Sequence, residues 1–238
     1  MSVPRFFVPH TQLPQVGIQV PLSPTQARHL WVLRLPQGSA LELVLPSGPW
    51  KADLSEISKD YALTRLVAPL REDREPPFPI EVYIPLTAQL SLLDDLLPAL
   101  VELGATLIQP VAFRRSEFDA DKTAARFERW QRIVHGACEQ SHRSTVPEFR
   151  PAVPFEALLA VETTQRLVAH ELTRGKTNPV LEAGPTALVS GPEGGITDGE
   201  FLALETAGWK PVTFGGSILR AISCPVAMIG AIRYQFPW

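Results

Sequence analysis

The hydrophobic pattern of this chain changes period once, and that change constrains the fold more tightly than any other feature. In the first part the apolar residues fall in short runs rich in Val, Leu, Ile and Tyr, at 40–45, 50–57 and 61–67. Pro36-Gln37-Gly38 and Pro46-Ser47-Gly48-Pro49 separate them. Short strands parted by turn residues predict a small β-barrel or sandwich. One helix is expected over 25–33, with Ser23 as N-cap and Pro24 at its first position. From residue 80 strand-length apolar runs alternate with helix-length segments. Strands are expected at 80–84, 106–111, 166–170, 187–190 and 211–214, and helices up to Gly104, then over 123–141, 155–163, 198–207 and around Pro225. Such alternation implies a parallel sheet covered by helices on both faces. The intervening stretch APLREDREPPFP (68–79) has no period and ends proline-rich, so it reads as a linker. Two domains are therefore expected, 1–72 and 73–238, which suits a chain of 238 residues.

Charge and cysteine usage narrow the setting. Every long apolar run is cut by charge, proline or glycine, so no membrane span is expected. The opening MSVPRFFVPH lacks the continuous apolar stretch of a signal peptide, and two cysteines cannot form a disulfide framework. A reducing cytoplasm fits these features. The formal charge of −3 argues against phosphate binding, which depends on Lys and Arg displacing counterions. Its distribution argues the other way. Residues 1–72 hold seven Lys/Arg against five Asp/Glu, net +2, whereas 73–238 hold fifteen against twenty. Within 110–150 the doublet Arg114-Arg115 and then Arg126, Arg129, Arg132 and Arg143 allow a local basic face.

Chemistry concentrates near the carboxyl end. The run ALVS (187–190) leads into Gly191-Pro192-Glu193-Gly194-Gly195 and then a helix whose start carries a capping box, Thr197 with Glu200. Gly208 stands at the far end as its C′ residue. Strand, glycine-rich loop and helix in that order let a ligand approach backbone groups without an intervening Cβ. The spacing is neither a P-loop nor a dinucleotide fingerprint, so a nucleoside triphosphate is not expected. A tight turn without a ligand is the alternative. A second glycine loop, Phe214-Gly215-Gly216-Ser217 followed by Ile218-Leu219-Arg220, succeeds the next strand, and the strand at 166–170 ends in His170-Glu171. Loops that follow neighbouring parallel strands line one site at their carboxyl ends. Cys138 and Cys224 read as buried thiols, and His10, His29, His135, His142 and His170 show no metal-ligand spacing. No metal is expected. Arg126, Arg129 and Arg132 read as a solvated helix face.

GPEGG followed by FGGSILR before a terminal helix resembles the SPOUT-class RNA methyltransferases. The opening RFFV, Arg28-His29-Leu30, Val32-Leu33-Arg34, Glu102-Leu103-Gly104, Arg115-Ser116 and Glu139-Gln140 with Arg143 and Pro147 are similar to the ribosomal RNA small-subunit methyltransferase E family across nearly the whole chain. That resemblance implies an α/β fold: a SPOUT-type parallel sheet with a carboxyl-terminal deep trefoil knot, preceded by a small PUA-like RNA-binding β-barrel. It implies methyl transfer from S-adenosylmethionine to N3 of a uridine in small-subunit (16S) ribosomal RNA, by a homodimer acting on the assembling or assembled subunit.

The cofactor residues it implies are Ala169, His170, Glu171, Gly191, Pro192, Glu193, Gly194, Gly195, Phe214, Gly215, Ile218, Leu219 and Arg220. The catalytic residues are Arg115, Glu193 and Arg220, and the RNA contacts Arg5, Arg34, Arg114, Arg115 and Arg143. N3 of uracil carries a proton, for which Glu193, Glu139 and Glu171 are the carboxylate candidates. A valine at position 194 is expected to intrude into the cofactor space. Where the family usually continues Thr-Glu-Thr-Ala after ILR, this chain reads Ala221-Ile222-Ser223-Cys224. Basic residues usual in the first helix of the second domain are replaced by Gln89, Leu92 and Ala99. Two alternatives follow: a noncatalytic knotted RNA-binding protein, and a methyltransferase of the same class acting on transfer RNA.

Overall fold

A computed structural model describes residues 3–10, 12–71, 74–118, 123–170 and 178–238. The chain forms two compact units, Met1–Arg74 with His142–Ser144, and Glu75–Ser141 with Thr145–Trp238. The expected boundary at Glu72 and Asp73 lies outside the described residues. The return of His142–Ser144 to the first unit is not foreshadowed by the linker and has a definite cause. Arg5 donates to the carbonyl oxygens of His142 (2.5 Å) and Arg143 (3.2 Å), and Glu42 pairs with both Arg5 and His142.

The first unit contains β1 (Arg5–Phe7), β2 (Gln19–Pro21), α1 (Pro24–Val32), β3 (Ala40–Leu45), β4 (Gly48–Ile57) and β5 (Ala62–Pro69). They form one sheet in the order β1-β3-β4-β5-β2, in which only the β1–β3 pairing is parallel. The alternating burial along β4 follows from the two-residue period of a pleated strand and sends Trp50, Ala52 and Leu54 inward. They meet Phe6, Leu30, Leu41, Leu43 and Leu66 in one core. Ser23 caps α1, and its hydroxyl accepts from the Gln26 N–H at 3.3 Å.

The second unit runs β6 (Ile80–Pro85), α2 (Leu92–Glu102), β7 (Leu107–Ala112), α3 (Ala124–Gln140), β8 (Glu148–Phe149), β9 (Val153–Pro154), a 3-10 helix (Phe155–Ala160), β10 (Gln165–Ala169), β11 (Thr186–Val189), α4 (Asp198–Thr206), β12 (Lys210–Val212) and α5 (Ser223–Gln235). Every pairing is parallel, in the order β12-β10-β11-β6-β7-β8, with β9 also on β7. The consequence for function is that β12, β10 and β11 lie side by side with all their carboxyl ends on one edge.

Two local expectations are revised. The helix expected over 155–163 is a 3-10 helix that ends at Ala160. Its buried residues, Phe155 and Leu158, are three apart, the spacing at which side chains eclipse in a 3-10 helix. The strand expected to reach 214 stops at Val212, because the Asn178 side-chain amide takes both backbone groups of Thr213. Its Oδ1 accepts from the Thr213 N–H and its Nδ2 donates to the Thr213 carbonyl, each at 2.8 Å. The arginines of α3 form the exposed helix face expected of them, and two of them also pair across to α2: Arg129 with Asp94 at 2.9 Å, and Arg126 with the same carboxylate at 4.0 Å.

Candidate active site

The three adjacent carboxyl ends open into a cavity of about 570 Å³, within the ~300–1,000 Å³ of small-molecule sites. Twelve of the thirteen expected cofactor residues line it: Ala169 and His170 at the end of β10, Gly191 through Gly195 after β11, and Phe214, Gly215, Ile218, Leu219 and Arg220 after β12. The thirteenth, Glu171, lies outside the described residues. Arg115 from the loop after β7 also reaches the cavity. The site therefore combines loops that are distant in sequence and adjacent only because of strand order.

The glycines of the Gly191–Gly195 loop have distinct physical reasons. Pro192 accepts from the Gly195 N–H at 2.8 Å, which closes a tight turn, and Gly195 holds φ = +75°, a region that disfavours a Cβ. At Gly191 a Cβ would stand 2.7 Å from Ile196 Cγ1 and 3.2 Å from the Ile196 nitrogen, so the loop folds back on itself there. At Gly194 a Cβ would stand 3.0 Å from Arg115 Cβ and 3.4 Å from the Arg115 carbonyl. A side chain at 194, in the cavity lining, would therefore press on the Arg115 stem as well as on the space that the lining encloses.

That contact is reinforced, because Arg115 Nη1 donates to the Gly194 carbonyl at 2.8 Å. The Arg114-Arg115 turn is fixed from a second direction by Glu200. This buried carboxylate accepts the Arg114 N–H at 2.7 Å on Oε1 while Oε2 accepts from Thr197 N–H and Oγ1 at 2.9 and 2.7 Å. The capping box was readable from the sequence; its second duty, tying the start of α4 to the arginine turn, was not. Glu193 is exposed, and one of its carboxylate oxygens accepts the Ala88 N–H at 3.2 Å. His170 stacks on Phe201 with centroids 3.9 Å apart, and its backbone N–H reaches Val212.

Other candidates fall elsewhere. Glu139 sits on α3, 3.9 Å from His135, and does not line the cavity. Arg5 is corrected as a phosphate contact: its side chain is 0% exposed and bonded to Glu42 at 2.8 Å. Arg143 is corrected for the same reason, being 3% exposed. Arg34 and Arg114 are exposed. Burial pushes the Cys224 thiol up to about 11, so it stays protonated near neutral pH and is a poor nucleophile. Among the described residues no three His, Cys, Asp or Glu side chains gather as metal ligands, and no helix is long and apolar enough to cross a membrane. Sequence reading missed Ser190, Leu92, Ala221, Ile222 and Cys224, which also line the cavity.

Comparison with known proteins places this geometry in context. Residues 74–233 match the RNA methyltransferase domain family. The ribosomal RNA small subunit methyltransferase E of Synechocystis is 31% identical over 225 residues, covering 90% of this chain and 72% of that protein. Its Bacillus subtilis counterpart is 28% identical, covering 86% and 85%. A crystal structure of the Neisseria gonorrhoeae enzyme of that name bound to S-adenosyl methionine superposes with a TM-score of 0.87 at 32% identity, covering 99% of this chain and 98% of that one. With a matched domain spanning both the parallel sheet and its cavity, the chain belongs to the ribosomal RNA small subunit methyltransferase E family of RNA methyltransferases.

Proposed function

We propose that this protein transfers the methyl group of S-adenosylmethionine to N3 of a uridine in small-subunit (16S) ribosomal RNA, acting as a cytoplasmic homodimer. The observation that carries the reading is the convergence of twelve expected residues on one cavity, in a chain whose relatives include a structure bound to that cofactor. The chemical character of the lining fits the cofactor: backbone-rich glycine loops, apolar walls from Ile218, Leu219 and Val212, and a few charged groups at the mouth. When bound, its sulfonium supplies a methyl group already activated for displacement.

The protein's task is then placement and proton handling. Glu193, with one oxygen held by Ala88, keeps acceptor capacity for the N3 proton. Arg115 and Arg220 supply charge-assisted donors for a phosphate or a uracil carbonyl and are too basic to take a proton themselves. N3 is hidden in a base pair, so the target nucleotide must be unstacked or unpaired. Arg34 and Arg114 provide exposed phosphate contacts. In this reading residues 1–72 form a PUA-like RNA-binding barrel, and the chain through 73–238 closes a deep trefoil knot, an exception to ordinary chain topology.

The test is labelled methyl transfer to undermethylated small subunits, naked ribosomal RNA and transfer RNA, with the product nucleoside identified by mass spectrometry. Label at N3 of uridine in the small-subunit RNA is expected. Label in transfer RNA alone would move the substrate. Cofactor binding without transfer to any of them would assign a noncatalytic RNA-binding role, the outcome to which the Ala221-Ile222-Ser223-Cys224 segment points, since it lacks an acidic side chain beside the cavity.

A further inference from the structure

We infer that the Ser190 hydroxyl is a specificity-determining contact for the neutral nucleoside portion of the methyl donor; this rests on the function proposed above. Ser190 is 1% exposed and lines the cavity at the end of β11, yet its Oγ has no hydrogen-bond partner among the described residues. An unpaired buried hydroxyl is costly, and buried polar groups in folded proteins are nearly always satisfied.

The pleat tells which way the side chain faces. Ala187 and Val189 point into the core cluster that holds Val168, Leu204 and Trp209. Leu188 and Ser190 therefore point to the opposite face. That cluster contains no residue of α5, whereas Cys224 in the first turn of α5 lines the same cavity as Ser190. Continuing that alternation turns the side chain to the face opposite the cluster, and its 1% exposure puts it deep in the lining, at the cavity floor.

The distribution of charge over the cavity decides which part of a ligand meets it. Arg115, Glu193 and Arg220 are exposed residues of the lining, at the mouth, so the carboxylate and ammonium of a methionyl group find partners or water there. A formal charge carried to the floor would be withdrawn from water and from the charged side chains at the mouth, at a large desolvation cost. A neutral purine edge or ribose hydroxyl meets it without that penalty, and a serine hydroxyl both donates and accepts.

The experiment compares wild type with Ser190→Ala by calorimetry against S-adenosylmethionine, S-adenosylhomocysteine and 5′-methylthioadenosine, with thermal unfolding of the ligand-free protein alongside. The expected result is an affinity loss of about three- to tenfold, the same for all three ligands because all share adenosine. The ligand-free variant should unfold no lower than wild type, since the substitution removes an unsatisfied group. That combination separates ligand contact from a structural role, which would lower stability and spare affinity. Unchanged affinity in the variant overturns the inference and leaves the proposed function standing. Loss confined to the two ligands with a methionyl-type tail also overturns it. Failure of wild type to bind any of the three overturns both.

Discussion

Replacing Gly191 by alanine tests whether the glycine loop is shaped by the protein's own packing. The new methyl would stand 2.7 Å from Ile196 Cγ1, and ordinary contact begins at 3.4 Å, so the two strands of the loop must part by about 0.7 Å. Ile196 cannot easily yield. It is 6% exposed, packed with Val168, Ala187 and Val189, and branched at Cβ so that its χ1 is stiff. Overpacking of this kind costs about 2 kcal/mol, which in a unit of this size lowers Tm by roughly 4–8 °C. Displacing the loop also moves the backbone groups that face the cavity, and a loss of about 1.4 kcal/mol in ligand contacts corresponds to a tenfold weaker Kd. Gly216→Ala is the matched control. Its Cβ would meet nothing within 4 Å, and its backbone is not in the positive-φ region, so a change within about 0.5 kcal/mol is expected. Thermal unfolding and calorimetric titration with S-adenosylmethionine give both numbers. A Gly191→Ala protein as stable and as tightly binding as Gly216→Ala would refute the packing argument.

Three further outcomes are expected. Arg115→Ala removes a cation at the cavity mouth, so RNA affinity should depend less steeply on salt, by ~0.7–0.9 in the log–log slope per lost phosphate contact; an unchanged slope in filter binding would remove Arg115 from the RNA interface. For Glu42, burial raises the carboxyl pKa, but hydrogen bonds and charge from His142 and Arg5 outweigh it and hold the group below its ordinary 4.5. The folded state thus favours the ionised form, and the stabilisation is present above about pH 4.5 and lost as pH falls through the lowered value. Wild type should lose more Tm than Glu42→Gln between about pH 6 and pH 3, and parallel acid limbs would show that the pair contributes nothing. Cys224, with its thiol held at about 11, should resist iodoacetamide near neutral pH until the protein is unfolded, as followed by peptide mass mapping.

What was legible in the sequence was local or periodic. The Thr197–Glu200 capping box, Ser23 before Pro24 and the alternation of strands with helices each involve residues a few positions apart, and their geometry follows from chain connectivity. The loops of the candidate site were legible because glycine after a strand marks backbone strain, and strand order then brought them together. What escaped reading was nonlocal. Arg5 looks like a free cation near the amino terminus, but its partner carbonyl is 137 residues away, and no spacing signals a contact at that separation. Arg143 was misread for the same reason. Asn178 ends β12 from 35 residues upstream. Ser190 is a single serine at the end of a strand, and only its burial and missing partner mark it out. The 3-10 helix was misread because Phe155 and Leu158 suit an α-helical face and a 3-10 face equally well in so short a segment.

One cavity, formed where β10, β11 and β12 end side by side, is where the methyl donor is expected to sit. A crystal structure of the protein grown with S-adenosylhomocysteine tests it most directly. The ligand is expected between Gly191–Gly195 and Phe214–Arg220, with its nucleoside toward Ser190 and its charged tail toward the mouth. Ligand bound elsewhere on the protein, or a cavity still holding only solvent at saturating ligand, would contradict it.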